Sequence, residues 1–200
     1  IYVDKSELIQ YTNSVLRTTQ KYICVSRPRR FGKSMAANML TAYYSRGCDS
    51  RELFQGLKIA THPDFEKHLN HYNVIHLNMR DYLTESENMK QLIQFVEDDL
   101  LDELQQEFSD LRMPRRKTLV KVLEQAFAQY KIPFVFIIDE WDCIFRVHKS
   151  DAASQKDYLD FLRNLLKDKS YIALAYMTGI LPIKKYGEHS AINVFYEYSM

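Results

Sequence analysis

Two short strings carry residue types that together could hold and cut a polyphosphate. The first is Ser26-Arg27-Pro28-Arg29-Arg30-Phe31-Gly32-Lys33-Ser34, whose tail matches the end of the phosphate-loop pattern G-x-x-x-x-G-K-[ST]. Gly32 lets the backbone approach phosphate oxygens, and the amides opening a following helix would point at the anion. Lys33 offers a point charge to the β- and γ-phosphates, and the Ser34 hydroxyl is a Mg²⁺ ligand of the right hardness. The pattern is incomplete, because Arg27 stands where the first glycine belongs. Pro28 can fix the turn instead, and Arg29 and Arg30 add cationic donors beside Phe31. Taken alone, Gly-Lys-Ser equally fits an ordinary helix start after a basic turn.

The second string is Phe134-Val135-Phe136-Ile137-Ile138-Asp139-Glu140, followed by Trp141-Asp142. Five apolar residues ending in two carboxylates form a Walker B pattern, and such a strand delivers its acids to the carboxyl edge of a sheet, where open α/β sheets bind ligands. There Asp139 would hold Mg²⁺ and Glu140 would orient and polarise an attacking water. A solvated acidic turn is the bland alternative, but the upstream Gly-Lys-Ser favours the chemical reading. The second carboxylate points to a hydrolase of the additional-strand class, in which one strand separates the loop strand from the acidic strand. Tyr171–Met177 is the candidate for that strand. Its polar end, Thr178-Gly179, would face the γ-phosphate, with Thr178 sensing it.

These residues need a scaffold, and the rest of the chain supplies one. Short β-rich runs at Tyr22–Val25, Asn73–Met79, Phe134–Ile138 and Tyr171–Met177, with a last one at Val194–Tyr198, alternate with helical stretches. The helices fall at about residues 33–45, 117–130 and 151–169. A long amphipathic stretch marked by Met89, Leu92, Val96, Leu100, Leu104 and Phe108 runs on to a stop at Pro114. The uninterrupted apolar strands are those of a parallel sheet buried on both faces. The expectation is a three-layer α/β/α fold with right-handed crossovers and a mainly parallel sheet.

Length and composition set the limits. The 200 residues suit one domain, residues 1–200. With 46% hydrophobic and 26% charged residues the chain is neither disordered nor fibrous. A formal charge of +1 argues against a dedicated nucleic-acid binder. No run of 18 apolar residues suggests a membrane span. Cys24, Cys48 and Cys143 are scattered and odd in number, which reads as reduced thiols in the cytoplasm. The absence of an initiator Met and the stop at Tyr198-Ser199-Met200 lead to the expectation of a fragment of a longer protein.

The motifs together resemble the bacterial AAA-ATPase-like domain family, P-loop proteins of the additional-strand class that commonly precede a PD-(D/E)XK nuclease-like domain. The resemblance rests on Tyr2-Val3-Asp4-Lys5, Arg27–Ser34, Ile138-Asp139-Glu140 and Thr178-Gly179-Ile180. Arginine at the first-glycine position is usual in that family, whereas its Asp-Glu-Tyr-Asp is replaced here by Asp139-Glu140-Trp141-Asp142. The resemblance implies an AAA/STAND-like domain that binds Mg·ATP and hydrolyses it to ADP and phosphate, driving or gating a C-terminal effector domain. Contact with nucleic acid is expected only through that domain, and oligomerisation stays open. Two other readings remain: a nucleotide-dependent switch or scaffold with negligible turnover, and a P-loop phosphotransferase with an organic acceptor, against which Glu140 argues. The assigned roles are phosphate binding by Arg29, Arg30, Phe31, Gly32, Lys33 and Ser34, metal binding by Ser34 and Asp139, and catalysis by Lys33, Glu140 and Thr178.

Other features weigh less. His68 and His71 lack the companions of a metal site. Arg112, Arg115, Arg116 and Lys117 around Pro114 read as a solvated helix connection. Lys184 and Lys185 could reach phosphate but fit surface lysines better. Arg146 lies too close to the acidic strand to be aimed at a γ-phosphate as an arginine finger.

Overall fold

The computed structural model describes residues 4–186 and 192–198; Tyr2 and Val3 lie outside the described residues. The five strands are β1 (Tyr22–Ser26), β2 (Asn73–Asn78), β3 (Phe134–Asp139), β4 (Ile172–Gly179) and β5 (Tyr196–Tyr198). All pair in parallel, in the order β2-β3-β4-β1-β5. β4 therefore separates the loop strand β1 from the acidic strand β3, as the additional-strand reading requires.

The period-two alternation of each strand divides the core in two. From β3, Phe134, Phe136 and Ile138 pack to one side and Val135 and Ile137 to the other. The first side is covered by α4 (Met79–Glu85), α5 (Met89–Glu107), α6 (Leu119–Tyr130), α7 (Cys143–Val147) and α8 (Ala152–Leu166). The second carries α1 (Glu7–Val15), α2 (Lys33–Tyr44) and α3 (Phe65–His68). The result is the three-layer arrangement expected from alternating buried strands and amphipathic helices.

Three boundaries near these elements differ from the sequence reading. α5 ends at Glu107 instead of running toward Pro114, because Phe108 leaves helical geometry and its ring packs 4.7 Å from that of Tyr130. The stripe Met89, Leu92, Val96, Leu100 and Leu104 is buried core. β4 runs past Met177 to include Thr178 and Gly179, since Val25 pairs with Thr178 and Ser26 with Gly179. The last strand is shorter than Val194–Tyr198, starting at Tyr196.

Candidate functional site

The site is built at the carboxyl edge of the sheet, where parallel strands bring all their C-terminal ends together. Beyond Ser26, the Arg27 amide donates to the Gly179 carbonyl (3.0 Å), so the loop leaves β1 still tied to β4. The loop then turns through Arg30, at φ +68°, and Gly32, at φ +73°. Both sit in the left-handed region, which is costly for arginine and free for glycine. A Cβ on Gly32 would also stand 3.1 Å from the Lys5 ammonium, which donates to the Phe31 carbonyl (2.8 Å). The segment before α1 thus braces the loop.

Gly32 caps α2 without any side chain bonding to the first-turn amides, whereas Asn88 and Asp151 close α5 and α8 by accepting from Gln91 and Ser154. The positive end of α2 stays open toward the loop. The Lys33 ammonium folds back to donate to the carbonyls of Arg27 and Pro28 at 3.0 Å each. Arg29, Arg30, Phe31 and Ser34 are exposed around it.

Across the edge, Asp139 is buried at the end of β3, and its Oδ1 accepts from the Glu140 amide (2.9 Å) and from the Thr178 hydroxyl. The structure therefore gives Thr178 a partner that sequence alone did not: its hydroxyl donates to the expected metal-binding carboxylate. Glu140 lies at φ +54° in the turn after β3, fixed by the Trp141 amide donating to the Thr178 carbonyl (3.1 Å). Its carboxylate is paired with the Arg146 guanidinium, both side chains only 19% exposed.

Asp142 is the residue whose role the sequence did not reveal. It is fully buried and accepts from the amides of Ile180 (3.0 Å) and Leu181 (2.8 Å), clasping the end of β4 to the acidic turn. Arg146 Nε lies 3.2 Å from its Oδ2, a charge contact more than an aligned hydrogen bond. Burial lowers the Arg146 pKa, but Asp142 and Glu140 outweigh it and hold the guanidinium above its ordinary value. The signal was present in the four-residue spacing of Asp142 and Arg146, an ion-pair spacing on a helix. Gly179 completes the clasp: a Cβ there would lie 2.6 Å from Trp141 Nε1 and 2.8 Å from Asp142 Oδ1.

The weaker sequence signals fall elsewhere. His68 Nδ1 is bonded to the Tyr72 hydroxyl (2.8 Å), and no cluster of three His, Cys, Asp or Glu suited to a metal occurs among the described residues. Arg112, Arg115, Arg116 and Lys117 are exposed in the connection between α5 and α6. Lys184 is exposed, and the side chain of Lys185 lies outside what the structure describes. Among the described residues no helix is long and apolar enough to cross a membrane.

No curated protein matches the sequence. The AAA-ATPase-like family, described as predicted AAA-ATPases, matches residues 1–187. With a parallel sheet whose order inserts β4 between the loop strand and the acidic strand, and a family match over nearly its whole length, the chain belongs to the AAA-ATPase-like family.

Proposed function

We propose that the domain binds Mg·ATP at the carboxyl edge of the sheet and hydrolyses it to ADP and phosphate. The observation that supports this most is the convergence of Gly32-Lys33-Ser34, Asp139-Glu140 and Thr178 on the ends of three neighbouring parallel strands. The donor set fits the ligands: an open helix end, an ammonium and exposed arginines for phosphate, a hydroxyl and a buried carboxylate for a hard cation. Ser34 and Asp139 would hold Mg²⁺, which when bound neutralises charge on the phosphate oxygens.

The chain's own residues have separable tasks. Lys33 exchanges the Arg27 and Pro28 carbonyls for phosphate oxygens, a gain because a charge-assisted bond to an anion is stronger than one to a neutral acceptor. Asp139 is oriented by the Thr178 hydroxyl and the Glu140 amide. Glu140 takes the proton of the attacking water, in the same edge geometry.

Replacing Lys33 by Ala is expected to abolish Mg·ATP binding in calorimetric titration while leaving the fold intact; unchanged affinity would reject the phosphate-loop assignment. Glu140→Gln is expected to retain binding and to lower phosphate release by about 10²-fold or more. The ion pair between Arg146 and Glu140 favours one second reading, a switch with negligible turnover, because it occupies the carboxylate that water activation needs. Equal phosphate release by wild type and Glu140→Gln would select that reading.

A further inference from the structure

β2 stands at one end of the strand order and pairs with β3 alone. The Asn73 amide donates to the Pro133 carbonyl, so by strand alternation the amides and carbonyls of Tyr72, Val74 and His76 point away from the sheet. Tyr72 is satisfied there: its amide donates to the Tyr44 carbonyl (2.9 Å), and its carbonyl accepts from the Arg46 amide (3.0 Å). This outer pairing stops after one parallel bridge, Ser45 with Tyr72. Beyond it no strand lies beside Val74 and His76 among the described residues. Backbone left open at a sheet edge is a template for another extended chain.

Arg46 shows what such a chain would meet. While its amide sits in that bridge, its guanidinium pairs with Glu107 at the end of α5 (2.5 Å) and stands 5.5 Å from the centre of the Phe108 ring. Next to it a cavity of about 430 Å³ separates the edge of β2 from α5. Leu100, Leu104 and Phe108 are its buried apolar floor, and the exposed Glu103 and Glu107 stand at its rim. Asp99, Glu103 and Glu107 follow one another at four-residue intervals, and all three are exposed. Among the described residues only Glu107 of the three has an ion-pair partner. Carboxylates so spaced stand about 6 Å apart along a helix, close to the roughly 6.6 Å between alternate side chains of an extended strand.

We propose that the open edge of β2 takes an extended segment of a partner polypeptide with Lys or Arg at alternate positions, its backbone pairing with Val74 and His76 and its cations reaching Glu103 and Asp99. The occupant's chemistry is the one that Arg46 already displays: backbone in the outer ladder, stem against the apolar floor, charged head on a carboxylate of α5. Long basic side chains suit this wall because their aliphatic stems cover apolar surface while their heads stay in water. Charge sets the sign of the partner, since α5 carries one basic residue against six acidic ones and would repel an acidic segment. Main-chain bonds would give the affinity and the row of carboxylates the specificity, as in other strand additions. Two strands, β3 and β4, separate this edge from the loop strand β1, so the proposal stands apart from the nucleotide reading.

The probe is a capped peptide of alternating lysine and valine, titrated into the protein. Amide resonances of Val74 and His76 are expected to shift, and their hydrogen exchange to slow by about tenfold or more at saturation. Only one edge of an added strand faces β2. Of two further peptides, N-methylated on the lysine amides or on the valine amides, one should therefore bind about tenfold or more weaker and the other nearly as well as the parent. Both carry the parent's charge, so this comparison separates a strand ladder from plain attraction. Glu103→Gln combined with Asp99→Asn changes exposed residues only and is expected to weaken the parent peptide by about tenfold or more; thermal melting checks that the variant folds. Amides of Val74 and His76 that stay still, two N-methylated peptides that bind alike, or undiminished binding by the folded double variant would each overturn the proposal. Slow exchange at Val74 and His76 without peptide, in a protein that sediments as a dimer, would overturn it by assigning the edge to a second copy of the chain.

Discussion

Removing the Asp142 carboxylate is expected to be among the most damaging single changes near the site, although the residue faces no ligand in the proposed scheme. In the structure it is 0% exposed, accepts two amides at 3.0 and 2.8 Å, and has Arg146 Nε at 3.2 Å. Asp142→Ala leaves two part-buried amides without their acceptor and takes from a half-buried guanidinium one of its two counter-charges. Breaking a buried pair on one side costs about 3–5 kcal/mol. Asp142→Asn keeps an oxygen for the amides and loses the charge, so about 1–2 kcal/mol is expected. Urea unfolding of the three proteins reads both values. At about 2–4 °C per kcal/mol for a domain of this size, the alanine variant should melt about 10 °C below wild type. The charge argument makes a further demand: in a double-mutant cycle, Arg146→Met should cost less in the Asp142→Ala background than alone, because the stranded cation is removed. An alanine variant within about 1 kcal/mol of wild type, or strictly additive costs, would refute the assignment of Asp142 as the buried anchor of the turn.

Gly179→Ala is expected to destabilise by about 1–3 kcal/mol and to lower with it the hydrolysis proposed above. Its Cβ would collide with Trp141 and Asp142 at 2.6 and 2.8 Å; a crystal structure or melt unchanged by the methyl would show that the turn yields freely. Native thiol labelling should modify Cys48 alone, since Cys48 is exposed while burial pushes Cys143 up to about 12 and raises Cys24 as well; rapid labelling of all three would contradict the packing. Burial chiefly lowers the pKa of His68, and likewise of His76, below the ordinary 6.5. Their neutral forms contribute stability above about pH 6.5 that is lost as pH falls through the lowered folded values. Unfolding free energies at pH 8 and pH 5 should therefore differ less in His68→Gln than in wild type, and an unchanged difference would reject that linkage.

The sheet was legible because its signals are local and doubled. Phe134–Ile138 is apolar without a break and ends in Asp139-Glu140, so strand identity, burial on both faces and orientation of the acids come from one string. The order of strands needed one more inference, from the paired carboxylates to the inserted β4, and the topology agrees. Spacing misled where an apolar residue stays buried after its helix stops: Phe108 keeps the stripe of α5 while belonging to the turn beyond it. The helix Glu7–Val15 gave no motif, yet it forms one wall of a cavity beside the loop. Arg146 was read for the wrong question. Its distance from a γ-phosphate mattered less than its distance from Asp142 and Glu140, and the second follows from a left-handed Glu140, which a sequence does not announce.

That left-handed turn makes the two carboxylates around Arg146 unequal. Asp142 is sealed in the core and bound by two backbone amides, so it cannot turn away without leaving those donors unpaired. Glu140 is 19% exposed, and Arg146 is the one side chain its carboxylate bonds among the described residues. A guanidinium between these two keeps a counter-charge even when Glu140 rotates off, and the cost of that rotation falls from that of stranding a cation with no partner to that of breaking one partly exposed pair. Lys33 is placed in the same way, on two carbonyls that can be solvated when it leaves them. Lys33 and Glu140 are therefore both held by partners that survive their departure. The fixed elements, Asp139 on Thr178 and Asp142 on the β4 terminus, are buried. Rigidity sits below the sheet edge and freedom at its surface, the division that a site gripping phosphate and then releasing it requires.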